Sequence, residues 1–352
     1  MAEGRLSHAK LVGSPTEVQF VGDGDEDAQV AHEIHRQEPY VRGLLMVEDR
    51  IRGIFAKAGA DGLLHAVPVG TASVAAVAAG TEPGEGEIAL GADEPVVIAS
   101  IFKVLLVLEF ARQVAAGQLD PRERVRVTRG DRLGGWGTAG CADDIELSLR
   151  DLAFFAMTVS DNSAADLLLA RIGLDTVRLL AGELGLDRTR IVGGPRDVLE
   201  SMLAEVGARD EAEFALRYPE LAEERKRRLS ALDPLRTNAS TPREITRLLR
   251  LVWQDEAGPP QACSQVRELM ARQAFRHRLV SGFPDGVAVA AKTGTLPGLH
   301  MEAGVIRYPD GGLYAVAVFA RSRELTASRT EVDAAIGATA RIAVDFLRSA
   351  GL

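Results

Sequence analysis

A serine and a lysine three residues apart stand inside the most apolar stretch of the chain. This stretch, from Pro95 to Phe110, reads PVVIASIFKVLLVLEF, with Ser100 near its start and Lys103 in its middle. The pattern predicts a helix that is buried on nearly every side. Residues three apart lie on one helix face, so the hydroxyl and the amine would be neighbours. Desolvation lowers the pKa of a buried amine, which can then act as a base towards that hydroxyl.

Lysine is rare in this chain. Of 41 basic residues, only five are lysine, and two of these, Lys103 and Lys292, lie in apolar surroundings. A chain that uses arginine for surface charge but lysine in an apolar helix needs what arginine lacks, a removable proton. The simpler alternative is that Lys103 extends from an amphipathic helix to the surface.

Length and charge restrict the classes of partner. The 352 residues are 46% hydrophobic and 26% charged, as in an ordinary globular protein. The net charge of -9 argues against a nucleic-acid partner. Neither a signal-peptide core nor an eighteen-residue apolar run is visible in the sequence, so we expect a cytoplasmic protein without a membrane partner.

The sequence predicts neither a metal site nor a cofactor. Cys141 and Cys263 lie far apart and lack a histidine at metal-ligand spacing. His32 and His35 share a helical face but have no acidic or cysteine ligand nearby, which favours surface residues. We expect both cysteines to be reduced.

Strand patterns occur near both ends of the chain, and helical patterns occupy its middle. We therefore expect an α/β fold, with an antiparallel sheet built from both chain ends, flanked by helices, and with an all-helical domain inserted. The predicted division is an N-terminal arm (1–40), an α/β domain (41–98 and 262–352) and a helical domain (99–261). A cleft is expected where the two domains meet.

Two segments of the helical part have both a functional and a structural interpretation. The glycine-rich loop GDRLGGWGTAGCADD carries Trp136, whose indole could form a pocket wall or simply pack in a turn. The segment Ser160-Asp161-Asn162 lies between two predicted helices, where Asp161 or Asn162 would make a good helix N-cap.

Three motifs stand in order along the chain: Ser100-Ile101-Phe102-Lys103, Ser160-Asp161-Asn162 and Lys292-Thr293-Gly294. The ordered set resembles that of class A β-lactamases and penicillin-binding proteins. The segment LRDLAFFAMTVSDNSAADLLLARIG is also similar to the helix pair around the second motif of this family. The resemblance extends from about Ile51 to Leu347 and implies a serine hydrolase of the β-lactamase fold.

The resemblance implies acyl-enzyme chemistry. Ser100 would be the acylated nucleophile and Lys103 its base. Ser160 would carry a proton towards the leaving nitrogen, and Asn162 would position Lys103 and the substrate amide.

The third motif would bind substrate. Lys292 would supply positive charge to the pocket and to Ser160, and Thr293, next to Gly294, a hydroxyl for a substrate carboxylate. The backbone N–H groups of Ser100 and Thr295 would hold the oxyanion.

Two features of the family pattern are absent. The loop that carries Glu-x-x-x-Asn in class A enzymes is most nearly matched by YPELA, which places Tyr218 and Ala222 at the two key positions. The carboxylates that could replace the glutamate are Glu220, Glu223 and Glu224. The arginine that binds the substrate carboxylate is also not evident, and Arg321 and Arg323 are the candidates.

Three functions are compatible with these residues. The first is a serine hydrolase that acts on a small-molecule amide, lactam or ester. The second is a transacylase or amidase of small-molecule metabolism that passes the acyl group to an amine acceptor. The third is a non-catalytic β-lactam-binding or sensor protein, against which the intact set of serines, lysines and asparagine argues.

Overall fold

The computed structural model describes residues 26–70, 86–325 and 330–350, with side chains from residue 42 onwards. The predicted arm lies mostly outside the described residues, as do Val18–Val21 and Ala72–Ala79, which the sequence also predicts as strands. The helical periodicity of the sequence starts at Val41, whereas helix α1 spans Glu26–Lys57. Acidic residues at its start favour the helix dipole, which explains the earlier beginning.

The two ends of the chain build one five-stranded antiparallel sheet. Its strands are β1 (Ala60–Pro68), β2 (Ile88–Leu90), β7 (Ala288–Leu296), β8 (Leu299–Arg307) and β9 (Leu313–Ser322), in the order β2-β1-β9-β8-β7. Strands β8 and β9 form the antiparallel hairpin that the sequence predicts around the turn PDGG. Strand β1 pairs with β9 along its whole length. This arrangement confirms the predicted fold class.

The residues of β9 alternate between two cores. Val316 and Val318 face a core shared with α1 and with α11, which spans Thr330–Ser349. Ala317 and Phe319 face the core of the inserted helices. This period of two is what a strand covered on both sides requires.

The inserted part is mainly helical. It contains α2 (Lys103–Ala115), α3 (Leu149–Thr158), α4 (Asn162–Ile172), α5 (Leu174–Glu183), α6 (Pro195–Val206), α7 (Glu211–Glu220) and α8 (Glu223–Arg227). A short hairpin of β4 (Arg124–Val127) and β5 (Ile145–Ser148) precedes α3. Helices α9 (Pro242–Trp253) and α10 (Pro260–Ala271) lead back to the sheet. The predicted domain boundaries stay a prediction.

The predicted helix from Pro95 to Phe110 is wrong in its first half. Val96–Val97 form strand β3, which pairs with β6 (Ala239–Ser240), and a 3-10 turn over Ala99–Phe102 precedes α2. β-Branched residues favour the extended conformation, and the partner strand lies more than 140 residues away, too far for a local pattern to reveal it.

None of the helices in the described ranges is long and apolar enough to cross a membrane. In the same ranges, no group of three or more His, Cys, Asp or Glu side chains is arranged to hold a metal ion.

Candidate functional site

Ser100 lies on the 3-10 turn that leads into α2. Ala99 before it has a φ of 42°, a left-handed conformation that is strained for a residue with a Cβ. The turn is held because Ile98 donates its N–H to the Asn238 carbonyl (3.0 Å) and accepts from Ile101 (2.9 Å). Ser100 is partly exposed and lines a cavity of about 170 Å³.

Lys103 is completely buried at the start of α2, so the interpretation that it extends to the surface is wrong. Its Nζ donates to the Ser160 carbonyl (2.8 Å) and to Asn162 Oδ1 (2.9 Å), and lies 3.4 Å from Ser160 Oγ. Desolvation lowers the pKa of Lys103 to about 7, although the charges of Asp161 and Asp166 oppose this effect. A large fraction of the amine is therefore neutral near pH 7.

Ser160 joins the two buried lysines. Lys292 is also completely buried, and its Nζ donates to Ser160 Oγ (2.9 Å) and to the Thr293 carbonyl (2.9 Å). Desolvation, and then the positive charge of Lys103, hold the pKa of Lys292 well below its usual value. Ser160 itself has a φ of 59°, a strained conformation of the kind that concentrates at functional sites.

Asp161 is the N-cap of α4, as one of the two sequence interpretations proposed. Its Oδ1 accepts from the Ala164 N–H (3.0 Å), and its Oδ2 accepts from the Thr138 N–H (2.6 Å). A Cβ at Gly137 would collide with this carboxylate. The buried cap thus ties the glycine-rich loop to the segment that carries Ser160.

Asn162, the first residue of α4, connects Lys103 with that loop. Its Oδ1 accepts from Lys103, and its Nδ2 donates to the Gly134 carbonyl (3.2 Å). Ser100, Asn162 and Gly134 line the same cavity. An amide fixed at both ends is well placed to meet a polar group of a bound molecule.

Strand β7 lies at the edge of the sheet and approaches the Ser100 turn. A Cβ at Gly294 would lie 3.0 Å from the Ile98 carbonyl and 2.7 Å from Met301, so only glycine fits easily. The N–H of Thr293 donates to Gln273 (2.6 Å), and its carbonyl accepts from Lys292. Both groups therefore point away from the hydrogen bonds that join β7 and β8. Because backbone direction alternates along a strand, the N–H of Thr295 also points away from β8. Thr295 lines the Ser100 cavity.

The arginine beside this strand is Arg278, which the sequence analysis did not identify. Its guanidinium donates to Thr295 Oγ1 (2.9 Å), to the Gly294 carbonyl (2.8 Å) and to Asp333 (2.6 Å), and is almost fully buried. In an arginine-rich sequence, nothing near Arg278 distinguishes it from the others.

Arg321 and Arg323 do not line the Ser100 cavity, contrary to the prediction. Arg321 donates to the Leu232 carbonyl (3.0 Å), and Arg323 pairs with Asp61 (3.0 Å). Arg321 is the last residue but one of β9 and Arg323 directly follows the strand, and β8 separates β9 from β7.

Trp136 is not among the residues that line the cavity either. Its indole is 68% exposed, and its ring centroid lies 6.1 Å from that of Phe275. The loop nevertheless contributes to the wall through Leu133 and Gly134.

One wall of the Ser100 cavity comes from α6, and none of it comes from the YPELA segment. Its lining residues there are apolar: Pro195, Val198, Leu199 and Met202. Tyr218 lines a second cavity, and Ala222 is the N-cap of α8. The predicted placement of Tyr218 and Ala222 is therefore wrong, because α6, which comes earlier in the chain, supplies this part of the wall.

The three glutamates proposed as substitutes also lie elsewhere. Glu220 is exposed, Glu223 pairs with Lys226 (3.0 Å), and Glu224 pairs with Arg228 (2.6 Å). None of the three lines the Ser100 cavity.

Two other carboxylates lie near the site. Glu211, at the start of α7, lines the cavity and accepts from the Gly134 N–H (2.7 Å). Asp166, one turn after Asn162 on α4, accepts from the Arg196 N–H (2.9 Å). Burial raises the pKa of Asp166 to about 6.

Known proteins share this fold. A β-lactamase from Sphaerobacter thermophilus DSM 20745 superposes with a TM-score of 0.66 at 21% identity, over 88% of this chain and 98% of that one. PBP-A gives a TM-score of 0.64 at 18% identity, over 87% and 97% of the two chains. These identities establish the likeness of fold alone.

The sequence comparisons define the family. The β-lactamase regulatory protein BlaB of Streptomyces cacaoi is 28% identical over 277 residues, which are 74% of this chain and 89% of BlaB. A family model described as the β-lactamase enzyme family matches residues 62–347. This match covers most of the chain, which therefore belongs to the β-lactamase enzyme family.

Proposed function

We propose that this protein is a serine acyl-enzyme hydrolase that acts on a small-molecule amide, lactam or ester through Ser100. The observation that carries the proposal is the buried Lys103, whose pKa of about 7 gives a neutral amine one helical turn from Ser100. Such an amine accepts the hydroxyl proton at neutral pH, which an ordinary lysine does not.

The proposed acylation moves one proton at each stage. Lys103 accepts the proton of Ser100 as Oγ bonds to the substrate carbonyl carbon, and the carbonyl oxygen becomes an oxyanion. The N–H groups of Ser100 and Thr295 stabilise that charge. In an amide or lactam the carbon–nitrogen bond then breaks, and the nitrogen receives a proton from Ser160, which regains one from the protonated Lys103.

A carboxylate on the substrate would bind at the edge of β7. Thr293 and Thr295 supply hydroxyls, and Arg278 orients Thr295 and adds positive charge. β-Lactams carry such a carboxylate, and a PBP-A variant is described as an acyl-enzyme complex with penicillin G.

Release of the acyl group separates the hydrolase from the transacylase. The apolar α6 wall supports slow hydrolysis, because apolar side chains cannot activate a water. Transfer of the acyl group to an amine is therefore the second candidate. A cytoplasmic location likewise stays a prediction from the sequence.

A regulatory role without turnover is the third candidate, favoured by the likeness to BlaB, which is named a regulatory protein. Intact-protein mass after incubation with penicillin G and with 4-nitrophenyl acetate tests acylation, which the first two candidates share and the third lacks. A mass increase that Ser100→Ala abolishes supports acylation of Ser100, and an unchanged mass with both reagents supports the regulatory alternative. Labelling of the alanine variant would exclude Ser100 as the nucleophile.

A further inference from the structure

A second cavity adjoins the Ser100 cavity. It has a volume of about 640 Å³, within the range of small-molecule sites. Thr295 and Leu296 line both cavities, so the two meet at the end of β7. A molecule held at Ser100 and Thr295 could therefore extend into the second cavity.

The walls of the second cavity are mainly apolar. They include Phe214, Tyr218, Pro297 and Leu325, and the first two rings stack with their centroids 5.1 Å apart. Apolar and aromatic walls bind the hydrocarbon part of a ligand and leave its orientation to a few polar groups.

Four residues with polar side chains line this cavity, namely Tyr218, Lys226, Thr295 and His300. Thr295 already bonds to Arg278 and His300 to Asp333, which leaves Tyr218 and Lys226 for the distal end of a ligand. Among the described residues, the buried Tyr218 hydroxyl has no hydrogen-bond partner. Burial raises the pKa of Tyr218 to about 12, so the hydroxyl stays protonated and can donate. Lys226, only 8% exposed, places its Nζ 5.5 Å from the Tyr218 ring centroid.

The burial of Lys226 indicates that its ammonium does more than add charge to the surface. Three of the four lysines whose side chains are described are buried, namely Lys103, Lys226 and Lys292, whereas Lys57 is exposed. Lys226 donates to Glu223 (3.0 Å), but an ammonium has three donors and can serve a second acceptor.

We propose that the second cavity binds the acyl chain of the substrate, and that it selects an extended apolar chain that ends in a carboxylate held by Tyr218 and Lys226. The inference rests on the proposed function, because it assigns the acyl part of the same substrate. It also names the substrate class: acids with an apolar body and a distal carboxylate, activated as amides, lactams or esters.

Three esters of one leaving group test the proposal. They are 4-nitrophenyl acetate, 4-nitrophenyl octanoate and the mono-4-nitrophenyl ester of octanedioic acid, each corrected for its rate of reaction with imidazole. We expect the acylation rate of Ser100 to rise from acetate to octanoate and again, by about tenfold, to the octanedioate, as one charge-assisted contact would give. Equal rates for all three esters would overturn the assignment and leave the proposed function intact.

Matched variants locate the effect. Ala215 lines the cavity from α7, whereas the next residue, Leu216, is 76% exposed and does not. We expect Ala215→Trp to remove the gain with long chains, whereas Leu216→Trp, the control, should keep it. Lys226→Met and Tyr218→Phe should remove only the advantage of the octanedioate. Equal losses in both tryptophan variants would contradict the proposal.

Binding of free octanedioate to the Ser100→Ala protein, measured by calorimetry, gives a readout that needs no acylation. We expect binding that Lys226→Met and Ala215→Trp weaken by about tenfold or more. If no ester acylates the wild type, the proposed function fails and this binding still decides the role of the cavity. Absence of binding would overturn the cavity assignment.

Discussion

Lys292 and Ser160 meet across the cleft, with Nζ 2.9 Å from Oγ, although 132 residues separate them. Lys292 Nζ donates in this contact, so Ser160 uses an oxygen lone pair for it. The hydroxyl proton of Ser160 is then free to point towards another acceptor. This arrangement suits a group that delivers a proton to a leaving nitrogen.

The first prediction separates the hydroxyl of Ser160 from its strained backbone. We expect Ser160→Ala and Ser160→Gly to lower the acylation rate equally, by about 10²–10⁴-fold, because both remove the proton donor. The glycine variant should be more stable than the alanine variant by about 1 kcal/mol, since only glycine adopts a φ of 59° freely. Burst kinetics and urea unfolding measure the two effects, and equal stabilities would exclude strain at Ser160.

The second prediction concerns the pH dependence of acylation. The rate should rise with pH up to about 7 and then level off, because only neutral Lys103 accepts the proton of Ser100. Lys103→Arg should retain less than about a tenth of the rate, a loss above ~1.4 kcal/mol, since arginine stays protonated. The rate of acylation by 4-nitrophenyl acetate across pH measures both. An arginine variant with a near wild-type rate would make Lys103 a structural residue.

The third prediction concerns the stability cost of Lys103. Its pKa is 10.5 in the unfolded chain and about 7 in the fold, so the unfolded state binds more protons between these values. The contribution of Lys103 to the free energy of unfolding therefore rises with pH from about 7 to 10.5. Below pH 7 the full cost of burying the ammonium remains. We expect Lys103→Met to raise the melting temperature at pH 7 and to lose this part of the pH dependence. A melting temperature that falls at pH 7 would contradict the prediction.

Lys103 could be predicted because the contrast between its amine and its apolar neighbours is visible in a short stretch of sequence. An amine inside an unbroken apolar run is visible in a few letters, and the structure places it completely buried. The alternation of side chains along β9 and the N-cap residues of α4 and α9, Asp161 and Thr241, are visible in short stretches of sequence in the same way.

Arg278 and Glu211 could not be predicted in this way. The contacts of Arg278 join residues 16 to 55 positions apart, and Glu211 meets Gly134 across 77 positions. Neither residue stands in an unusual stretch of sequence. Tertiary packing decides which of many similar charged residues lies at the end of β7 or in the wall of the cavity, and a single sequence does not contain that information in local form.

The fourth prediction compares arginines. Arg278→Gln should weaken acylation by penicillin G, which carries a carboxylate, by about tenfold or more, as loss of a charge-assisted hydrogen bond implies. Acylation by 4-nitrophenyl acetate, which has no carboxylate, should change little. Arg321→Gln is the matched control, because that side chain donates to the Leu232 carbonyl and not to Thr295, and should leave both rates unchanged. Equal loss with both reagents would indicate a role in folding alone, which the melting temperature would confirm.

The last prediction concerns release of the acyl group. Because the α6 wall of the Ser100 cavity is apolar, acylation should outrun hydrolysis, and a chromogenic β-lactam or ester should give a burst of about one equivalent followed by a slow phase. Val198→Glu places a carboxylate on that wall and should speed the slow phase, whereas Glu220→Gln, Glu223→Gln and Glu224→Gln should not change it. Added amines should speed it and yield amides if acyl transfer is the natural role. Rapid linear turnover that Glu211→Gln abolishes would instead make Glu211 the group that activates water, and the enzyme an efficient hydrolase.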